Sequence, residues 1–279
     1  MRLWDYLPRR VKILAQVARS RVPWIPGYGR FRESYVSSVL SNSALMTAFR
    51  EKRPLPPMYG FRFDERVIEY PWVLSRLSDS TTMLLDAGAA LNHSFLLNSP
   101  RLGGKTIVIY TLSPEGEAAY RTPNISYIYG DLRRTVLRDC VFEEAVCIST
   151  IEHVGLDNTH FYTRDPVYKE SAESGFGLVM RELRRVLVPG GRLLLTAPYG
   201  RHRQLGWFQV FDRTRVQQVI AAFGGAVQSE CYYRYENAWQ IADAEECAAC
   251  EYRDPHAMGS PGKSSPVAAG AVACLELLK

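Results

Sequence analysis

Five short apolar runs recur along the central part of the chain and predict β-strands. They span residues 82–86, 106–111, 125–129, 144–149 and 191–197. Several of these runs are continuously apolar and lack the alternating polar face of a half-exposed strand. Strands have this composition when helices cover both faces of the sheet, as in parallel sheets. The runs therefore predict a largely buried, parallel sheet.

Helical patterns separate these strands and continue beyond them. Helices are predicted from Asp64 to about Leu77, after residue 92, around 115–120, after 135, at 174–187 and at 214–223. Two further strands, at 226–233 and 268–277, fit an antiparallel edge. The alternation of strands and helices predicts an α/β fold with a doubly wound, mostly parallel sheet, helices on both faces and an antiparallel edge.

The domain organisation changes at about residue 60. Residues 1–60 are irregular and rich in proline, so they are predicted to form a basic N-terminal arm. Residues 61–279 are predicted to form one domain whose C-terminal elaboration covers about 226–279. A chain of 279 residues that is 47% hydrophobic is long enough to bury one full core.

The positive charge of the chain is concentrated in this arm. Residues 1–32 hold eight Arg or Lys and one Asp, whereas the whole chain has a net charge of only +5. The main body is therefore not expected to carry a basic groove for nucleic acid. Val11, Leu14, Ala18 and Val22 recur at helical spacing. The helix that they predict either packs on the main domain or lies on anionic lipid or a partner.

The sequence predicts a cytoplasmic protein. No apolar run reaches the ~18 residues of a membrane-spanning helix, and Trp4, Asp5 and Pro8 interrupt any signal-peptide core. Six irregularly spaced cysteines do not suggest a disulfide framework. The single pair Cys247 and Cys250 supplies too few ligands for a structural zinc site, so no metal is expected. Lipid binding by residues 1–32 would place the protein at the inner membrane surface.

The stretch TMLLDAGAALNH, residues 82–93, is the first candidate for ligand binding. Its strand leads to Asp86, and Gly88 follows where the backbone must approach a ligand closely or adopt positive φ. Ala90 and Asn92 stand where nucleotide-binding turns often carry further glycines; Ala still permits close approach, and Asn can cap the next helix. The turn is compatible with a nucleoside ligand and also with an ordinary strand-to-helix connection.

Four later stretches favour the nucleoside ligand: KTIVIYTLSPE, ISYIYGDLRR, EEAVCISTIEHVG and VMRELRRVLVPGGRLLLTAPYG. With the first turn, they make residues 82–225 resemble the class I S-adenosylmethionine-dependent methyltransferases. ELRRVLVPGGRLLLTAP is the most specific part of this resemblance. GWFQVFD adds a looser similarity to methyltransferases found among bacterial surface-polysaccharide genes. The resemblance implies a Rossmann-like methyltransferase fold and S-adenosylmethionine as the cofactor.

The resemblance also implies which residues hold the cofactor. The implied cofactor-binding residues are Asp86, Gly88, Ala90 and Asn92 around the methionine end, Asp131 and Leu132 at the adenine, and Ser149 near the reactive sulfur. Members of the family usually carry an acidic residue at the end of the second strand, where it takes the ribose hydroxyls. Here Thr111 stands at that end and the first carboxylate is Glu115. Either one of these two replaces the acidic residue, or the cofactor binds weakly or not at all.

The predicted function is methyl transfer to a small-molecule or glycan-linked acceptor, expected at oxygen. His153 is the first candidate for a general base, because its intrinsic pKa is near neutral, and Tyr199 is expected to line the acceptor pocket. Two alternatives remain open. A non-catalytic, methyltransferase-like binding protein would explain the missing ribose carboxylate. A nicotinamide-dependent oxidoreductase could use a similar sheet, although the GxGxxG signature is absent.

Overall fold

A computed structural model of the chain describes residues 23–114, 122–163, 165–254 and 265–279. The helices are α1 (Tyr28–Leu40), α2 (Ser43–Arg50), α3 (Arg66–Arg76), α4 (Ser94–Leu97), α5 (Thr159–Tyr162), α6 (Phe176–Val186), α7 (Arg213–Phe223) and α8 (Ala244–Cys247). The strands are β1 (Met83–Ala87), β2 (Thr106–Thr111), β3 (Ile125–Tyr129), β4 (Phe142–Ile148), β5 (Leu187–Pro198), β6 (Arg203–Gln204), β7 (Gln209–Val210), β8 (Ala226–Tyr235), β9 (Trp239–Ala242) and β10 (Ala271–Leu278). Short 3₁₀ helices cover Ile151–His153 and Pro166–Tyr168.

Eight strands form one sheet in the order β3-β2-β1-β4-β5-β10-β8-β9. The neighbours among β1 to β5 pair in parallel, whereas β10 runs antiparallel to both β5 and β8. The edge strand β9 is antiparallel to β8. The predicted fold class is therefore confirmed. The strand order reverses between β1 and β4, and this reversal is the point where doubly wound sheets bind their ligands.

Two hydrophobic cores cover the two faces of this sheet. Successive strand residues point to opposite faces, so Leu84 of β1 packs with residues of α1, α2 and α3, and Leu85 packs with residues of α6 and α7. Both residues are fully buried. Burial on both sides explains why these strands are continuously apolar in the sequence.

A buried ion pair ties the strands together at the amino edge of the sheet. The Nζ of Lys105 lies 2.5 Å from Glu144 Oε2, and Arg192 Nη2 donates to Glu144 Oε1 at 2.5 Å. The hydroxyls of Ser78 and Thr82 also donate to this carboxylate. Burial raises the pKa of Glu144, but the bonds from Lys105, Ser78 and Arg192 outweigh it and lower the pKa to about 2.

Two helices occupy the N-terminal stretch that was predicted to be irregular. Helices α1 and α2 bury Val36 and Phe49 completely in the first core. The prediction that residues 28–50 are irregular was wrong, because their apolar side chains recur at helical spacing in spite of the nearby prolines. The helix predicted across Val11 to Val22 lies outside the described residues.

Other elements differ from the prediction in detail. Residues 135–141 contain no helix, and the helix predicted around 115–120 lies outside the described residues. The Pro-Gly-Gly segment lies within β5 as a bulge: Phe142 pairs with Leu187, but Glu144 pairs with Arg192. The last strand, β10, is inserted inside the sheet, and the edge is formed by β9.

The structure holds no evidence of a membrane-spanning helix within its described ranges. None of the helices there is both long enough and apolar enough to cross a bilayer. The longest of those named above is α1, with 13 residues, whereas a span needs about 20.

Candidate functional site

The switch point between β1 and β4 brings two loops into direct contact. Gly88 follows β1 with φ +110°, and its N–H donates to the Tyr110 carbonyl at 2.8 Å. Thr150 follows β4 and packs on Gly88: a methyl group added to Gly88 would lie 2.1 Å from Thr150 Oγ1. Glycine is therefore required here by both the backbone conformation and the close approach of the second loop.

Asp86 holds the turn after β1 in place. The residue is fully buried, and its Oδ2 accepts a hydrogen bond from the Leu91 N–H at 2.8 Å. Between them, Ala89 takes the left-handed conformation with φ +62°. A non-glycine residue with positive φ is uncommon and costs free energy, and such strain concentrates at ligand sites. Ala90, beside it, is half-buried.

Asn92 stabilises the turn differently from the prediction. It does not cap the next helix, since α4 has His93 at its N-cap position and no side-chain capping bond. The Asn92 Oδ1 instead accepts a hydrogen bond from the Tyr127 hydroxyl of β3 at 2.8 Å. Asn92 thus links the first turn to the third strand, and the predicted contact with a cofactor stays a prediction.

The ends of β2 and β3 place the other predicted nucleoside-binding residues. Thr111 is half-buried at the end of β2, and its carbonyl accepts the Gly130 N–H at 2.9 Å. Asp131 follows and is bound by Arg133, with an Nη2–Oδ2 distance of 2.6 Å. Burial raises the pKa of Asp131, but the hydrogen bonds from Arg133 outweigh it and lower the pKa. Leu132 is buried beside it.

Glu115 was the second candidate for the ribose contact, and it lies outside the described residues. Of the two candidates for the ribose contact, Thr111 is therefore the one that the structure describes, at the end of β2. Its hydroxyl offers one uncharged oxygen to the ribose, whereas a carboxylate offers two charged oxygens, one for each ribose hydroxyl.

Ser149, after β4, is fixed by a carboxylate that comes from helix α3. Its φ is +41°, and its hydroxyl donates to Glu69 Oε1 at 2.5 Å. Thr196 of β5 donates to the same oxygen at 2.8 Å, and Arg66 donates to Glu69 Oε2 at 2.6 Å. Glu69 is completely buried and thus connects α3 to the carboxyl ends of β4 and β5.

Glu69 was missed by the sequence analysis, although the sequence contains a signal for it. In VIEYPWVL, residues 67–74, every position except Glu69 is apolar or aromatic, so this part of the helix has no polar face. A glutamate inside a helix that is apolar around its circumference has to be paired within the fold. That signal predicts a buried partner but does not identify it, because Thr196 lies 127 residues away along the chain.

Two further buried acids surround this connection. Burial raises the pKa of Glu65 to about 7 and that of Glu152 to about 8. The Oε2 of Glu65 accepts the Ala269 N–H at 3.1 Å. The Oε2 of Glu152 accepts no hydrogen bond from the described residues. Glu152 therefore holds a proton at neutral pH, which avoids burying an unpaired charge.

His153 lies next to Glu152 against an aromatic wall. Its ring centroid is 4.9 Å from that of Trp207 and 5.7 Å from that of Phe208. Its Nδ1 is 3.1 Å from the Trp207 carbonyl oxygen. A carbonyl oxygen can only accept, so Nδ1 carries the proton and Nε2 holds the lone pair of the neutral ring. Burial lowers the pKa of His153 to about 4.

We expect NMR titration to show His153 as a neutral ring with its proton on Nδ1 down to about pH 4. The unfolded value is 6.5, so His153 adds stability that is complete above pH 6.5 and is lost as the pH falls towards 4. Long-range ¹H–¹⁵N spectra would identify the tautomer, with His153→Gln assigning the signal. The exposed His160→Gln variant should keep the tautomer and raise the midpoint slightly, because the charge of His160 lowers the pKa of His153. A midpoint near 6.5, or a proton on Nε2, would contradict the geometry.

Tyr199, the second predicted catalytic residue, is part of the second hydrophobic core. Its side chain is 2% exposed, and its hydroxyl donates to the Ala244 carbonyl at 3.3 Å. Its ring packs against Tyr232, with centroids 4.6 Å apart. Burial raises the pKa of Tyr199 to about 12. The structure thus brings His153, but not Tyr199, into contact with the aromatic wall formed by Trp207 and Phe208.

Comparisons with known proteins find similarity in fold only. No protein-family model matches the sequence, and no curated protein matches it. A Burkholderia thailandensis 1,6-didemethyltoxoflavin-N1-methyltransferase is 13% identical over 87% of this chain and 88% of its own, with a TM-score of 0.46. The N-methyltransferase NodS from Bradyrhizobium japonicum WM9 is 15% identical over 74% of this chain and 92% of its own, with a TM-score of 0.43.

The [4+2]-cyclase SpnF is as similar as these two methyltransferases. It is 16% identical over 67% of this chain and 71% of its own, with a TM-score of 0.46. A fold does not by itself imply a function, so an activity has to be argued from the site. The candidate site in this chain lies at the switch point of the doubly wound sheet, where the Gly88 turn meets the Ser149–His153 segment. Doubly wound sheets bind their ligands in a crevice at this point.

Proposed function

We propose that this protein transfers a methyl group from S-adenosylmethionine to a small-molecule or glycan-linked acceptor, at oxygen. The observation that carries the proposal is the turn at Gly88. It lies at the switch point of the sheet, has a left-handed backbone that only glycine adopts readily, and meets the loop after β4 without space for a Cβ.

The residues around the crevice fit such a cofactor in most respects. The left-handed backbone at Gly88 would shape the turn beneath the methionine end, and Asp86 fixes the turn through the Leu91 N–H. Ala90 and Asn92 would complete the contacts of this turn, and Ser149 would line the cofactor near its sulfur. At the nucleoside end, Thr111, Asp131 and Leu132 would meet the ribose and the adenine. The cofactor supplies a sulfonium methyl group that is already activated for displacement.

The protein's own part in the reaction is alignment, exclusion of water and acceptance of a proton. Proper alignment alone removes much of the barrier to a displacement reaction. A hydroxyl acceptor loses a proton as it is methylated. The Nε2 lone pair of His153 would take it, as a weak base because burial lowers its pKa to about 4. Trp207 and Phe208 exclude water from this side of the ring. Tyr199 is bound to a core carbonyl, so we assign it no proton transfer.

We expect S-adenosylhomocysteine to bind and to stabilise the folded chain. A ligand at 100 times its dissociation constant adds about 2.7 kcal/mol to the free energy of unfolding. Calorimetric titration and thermal unfolding with S-adenosylhomocysteine, with NADH as the comparison ligand, would measure this.

The outcomes of this experiment separate the three hypotheses. Binding of S-adenosylhomocysteine but not of NADH supports methyl transfer. Binding of NADH alone supports a nicotinamide-dependent oxidoreductase. If well-folded protein takes up neither ligand, the proposal fails and a binding protein without this cofactor becomes the better explanation.

A further inference from the structure

A polar cleft opens at the amino edge of the sheet, opposite the edge that carries Gly88 and Ser149. Its volume is about 480 Å³, within the ~300–1,000 Å³ range of small-molecule sites. The end of α2, the end of α3, and parts of β5, β8 and β10 form its walls. The sheet and α3 are shared with the proposed methyl-transfer site, but none of the residues assigned to that site lines the cleft.

The lining of this cleft is strongly basic. It contains five cationic side chains, Arg50, Lys52, Arg76, Arg101 and Arg192, and two carboxylates, Asp79 and Glu276. Its formal charge is +3, and the Glu144 carboxylate behind Arg192 reduces this to +2, whereas the whole chain carries only +5. A concave surface lined by one sign of charge concentrates ligands of the opposite sign.

Three of the five cations are held by protein groups and shape the walls. Arg76 is 7% exposed, stacks over Trp72 at 4.3 Å and donates to the Phe49 carbonyl at 2.9 Å. Arg192 is bound to Glu144, and Arg101 is paired with Asp79. These cations are fixed before any ligand arrives, so binding would not have to order them.

Arg50 and Lys52 carry the surplus charge. Neither forms an ion pair with a carboxylate in the part of the chain that the structure describes. The Nε of Arg50 donates to the Ser75 carbonyl at 2.8 Å, which fixes the guanidinium and leaves its two terminal nitrogens for another acceptor. The Nζ of Lys52 reaches only a backbone carbonyl, that of Glu230, at 3.2 Å.

We propose that this cleft binds a phosphate-bearing small molecule, with Arg50 and Lys52 as its direct ligands. The fork of terminal nitrogens on a guanidinium matches two oxygens of one phosphate, and an ammonium adds a point charge. Two cations without a carboxylate partner suit a phosphate, which carries about −1.5 to −2, better than a single carboxylate. This cleft is separate from the proposed methyl-transfer site and would add a second binding function to the protein.

The test is calorimetric titration of the full chain with inorganic pyrophosphate, at constant pH and at two ionic strengths. We expect binding that weakens at the higher salt concentration, because exposed charges are screened. Arg50→Gln and Lys52→Gln should each weaken binding about tenfold, the loss of one charged hydrogen bond. Arg53→Gln is the matched control, since Arg53 is exposed, is paired with Glu51 and does not line the cleft.

Thermal unfolding would confirm that each variant is folded. Lys52→Gln removes only an exposed hydrogen bond to the Glu230 carbonyl, so it keeps the test decisive if Arg50→Gln is unstable. The proposal is overturned if the wild-type chain binds no pyrophosphate, or if Arg53→Gln weakens binding as much as Lys52→Gln. Binding of S-adenosylhomocysteine should be unchanged in all three variants, so this proposal and the proposed methyl transfer fail separately.

Discussion

Replacing Glu144 with glutamine is expected to destabilise the fold by about 3–5 kcal/mol, the usual cost of removing one partner of a buried ion pair. The side chains of Lys105 and Glu144 are only 1% and 3% exposed. Glutamine has nearly the same shape, but it would leave the Lys105 ammonium buried without a counter-charge. Urea unfolding at neutral pH, followed by circular dichroism, would measure the change.

Glu143→Gln is the matched control for this substitution. Glu143 is the preceding residue and is exposed, and its carboxylate only accepts the Met83 N–H, a bond that an amide oxygen can keep. Its effect should stay within about 0.5 kcal/mol. A cost below about 1 kcal/mol for Glu144→Gln would contradict the strong coupling of this pair.

Protonation of the Glu144 carboxylate should also lower the free energy of unfolding at acid pH. The pKa of Glu144 is lowered from 4.5 to about 2 in the folded chain. A group with a depressed pKa contributes stability that is complete above its unfolded value and is lost as the pH falls through its folded value. The free energy of unfolding should therefore fall between pH 4.5 and 2, and the difference between wild type and Glu144→Gln should shrink over the same range.

The strands were predictable because burial on both faces leaves a strong local signal. Leu84 and Leu85 are adjacent apolar residues that serve different cores, and a run of such residues indicates a buried strand before any partner is known. Helices α1 and α2 carry a weaker signal. Their buried residues, such as Val36 and Val39, are separated by serines and lie near several prolines, so composition obscured a helical spacing that is present.

The site was predictable only in its local part. Asp86 and Gly88 are two residues apart and follow a strand, so their place at the switch point follows from the strand alone. The bond from Thr196 to Glu69 joins residues that are 127 positions apart, and no local pattern specifies it. The lowered pKa of His153 likewise depends on burial against Trp207, which a sequence does not show.

Gly88→Ala is expected to abolish binding of S-adenosylhomocysteine, with a loss of at least about 100-fold, and to destabilise the chain. Two effects add. A residue with a Cβ is strained at φ +110°, and strain of this kind costs about 1–3 kcal/mol. The Cβ would also lie 2.1 Å from Thr150 Oγ1, so the loop after β4 must move, and Ser149 and Glu152 belong to that loop. Calorimetric titration and urea unfolding would measure both effects.

The Gly190→Ala variant distinguishes backbone strain at positive φ from steric collision of the new Cβ. Gly190 also has positive φ, +77°, but a Cβ there meets no atom within 4 Å, and it lies in the bulge of β5 away from the crevice. This variant should lose stability through strain alone and bind S-adenosylhomocysteine normally. Thr150→Gly in the Gly88→Ala background should then restore part of the stability, because it removes the colliding atoms and leaves the strain. If Gly88→Ala behaves like Gly190→Ala in both measurements, close contact of the two loops does not shape a cofactor site.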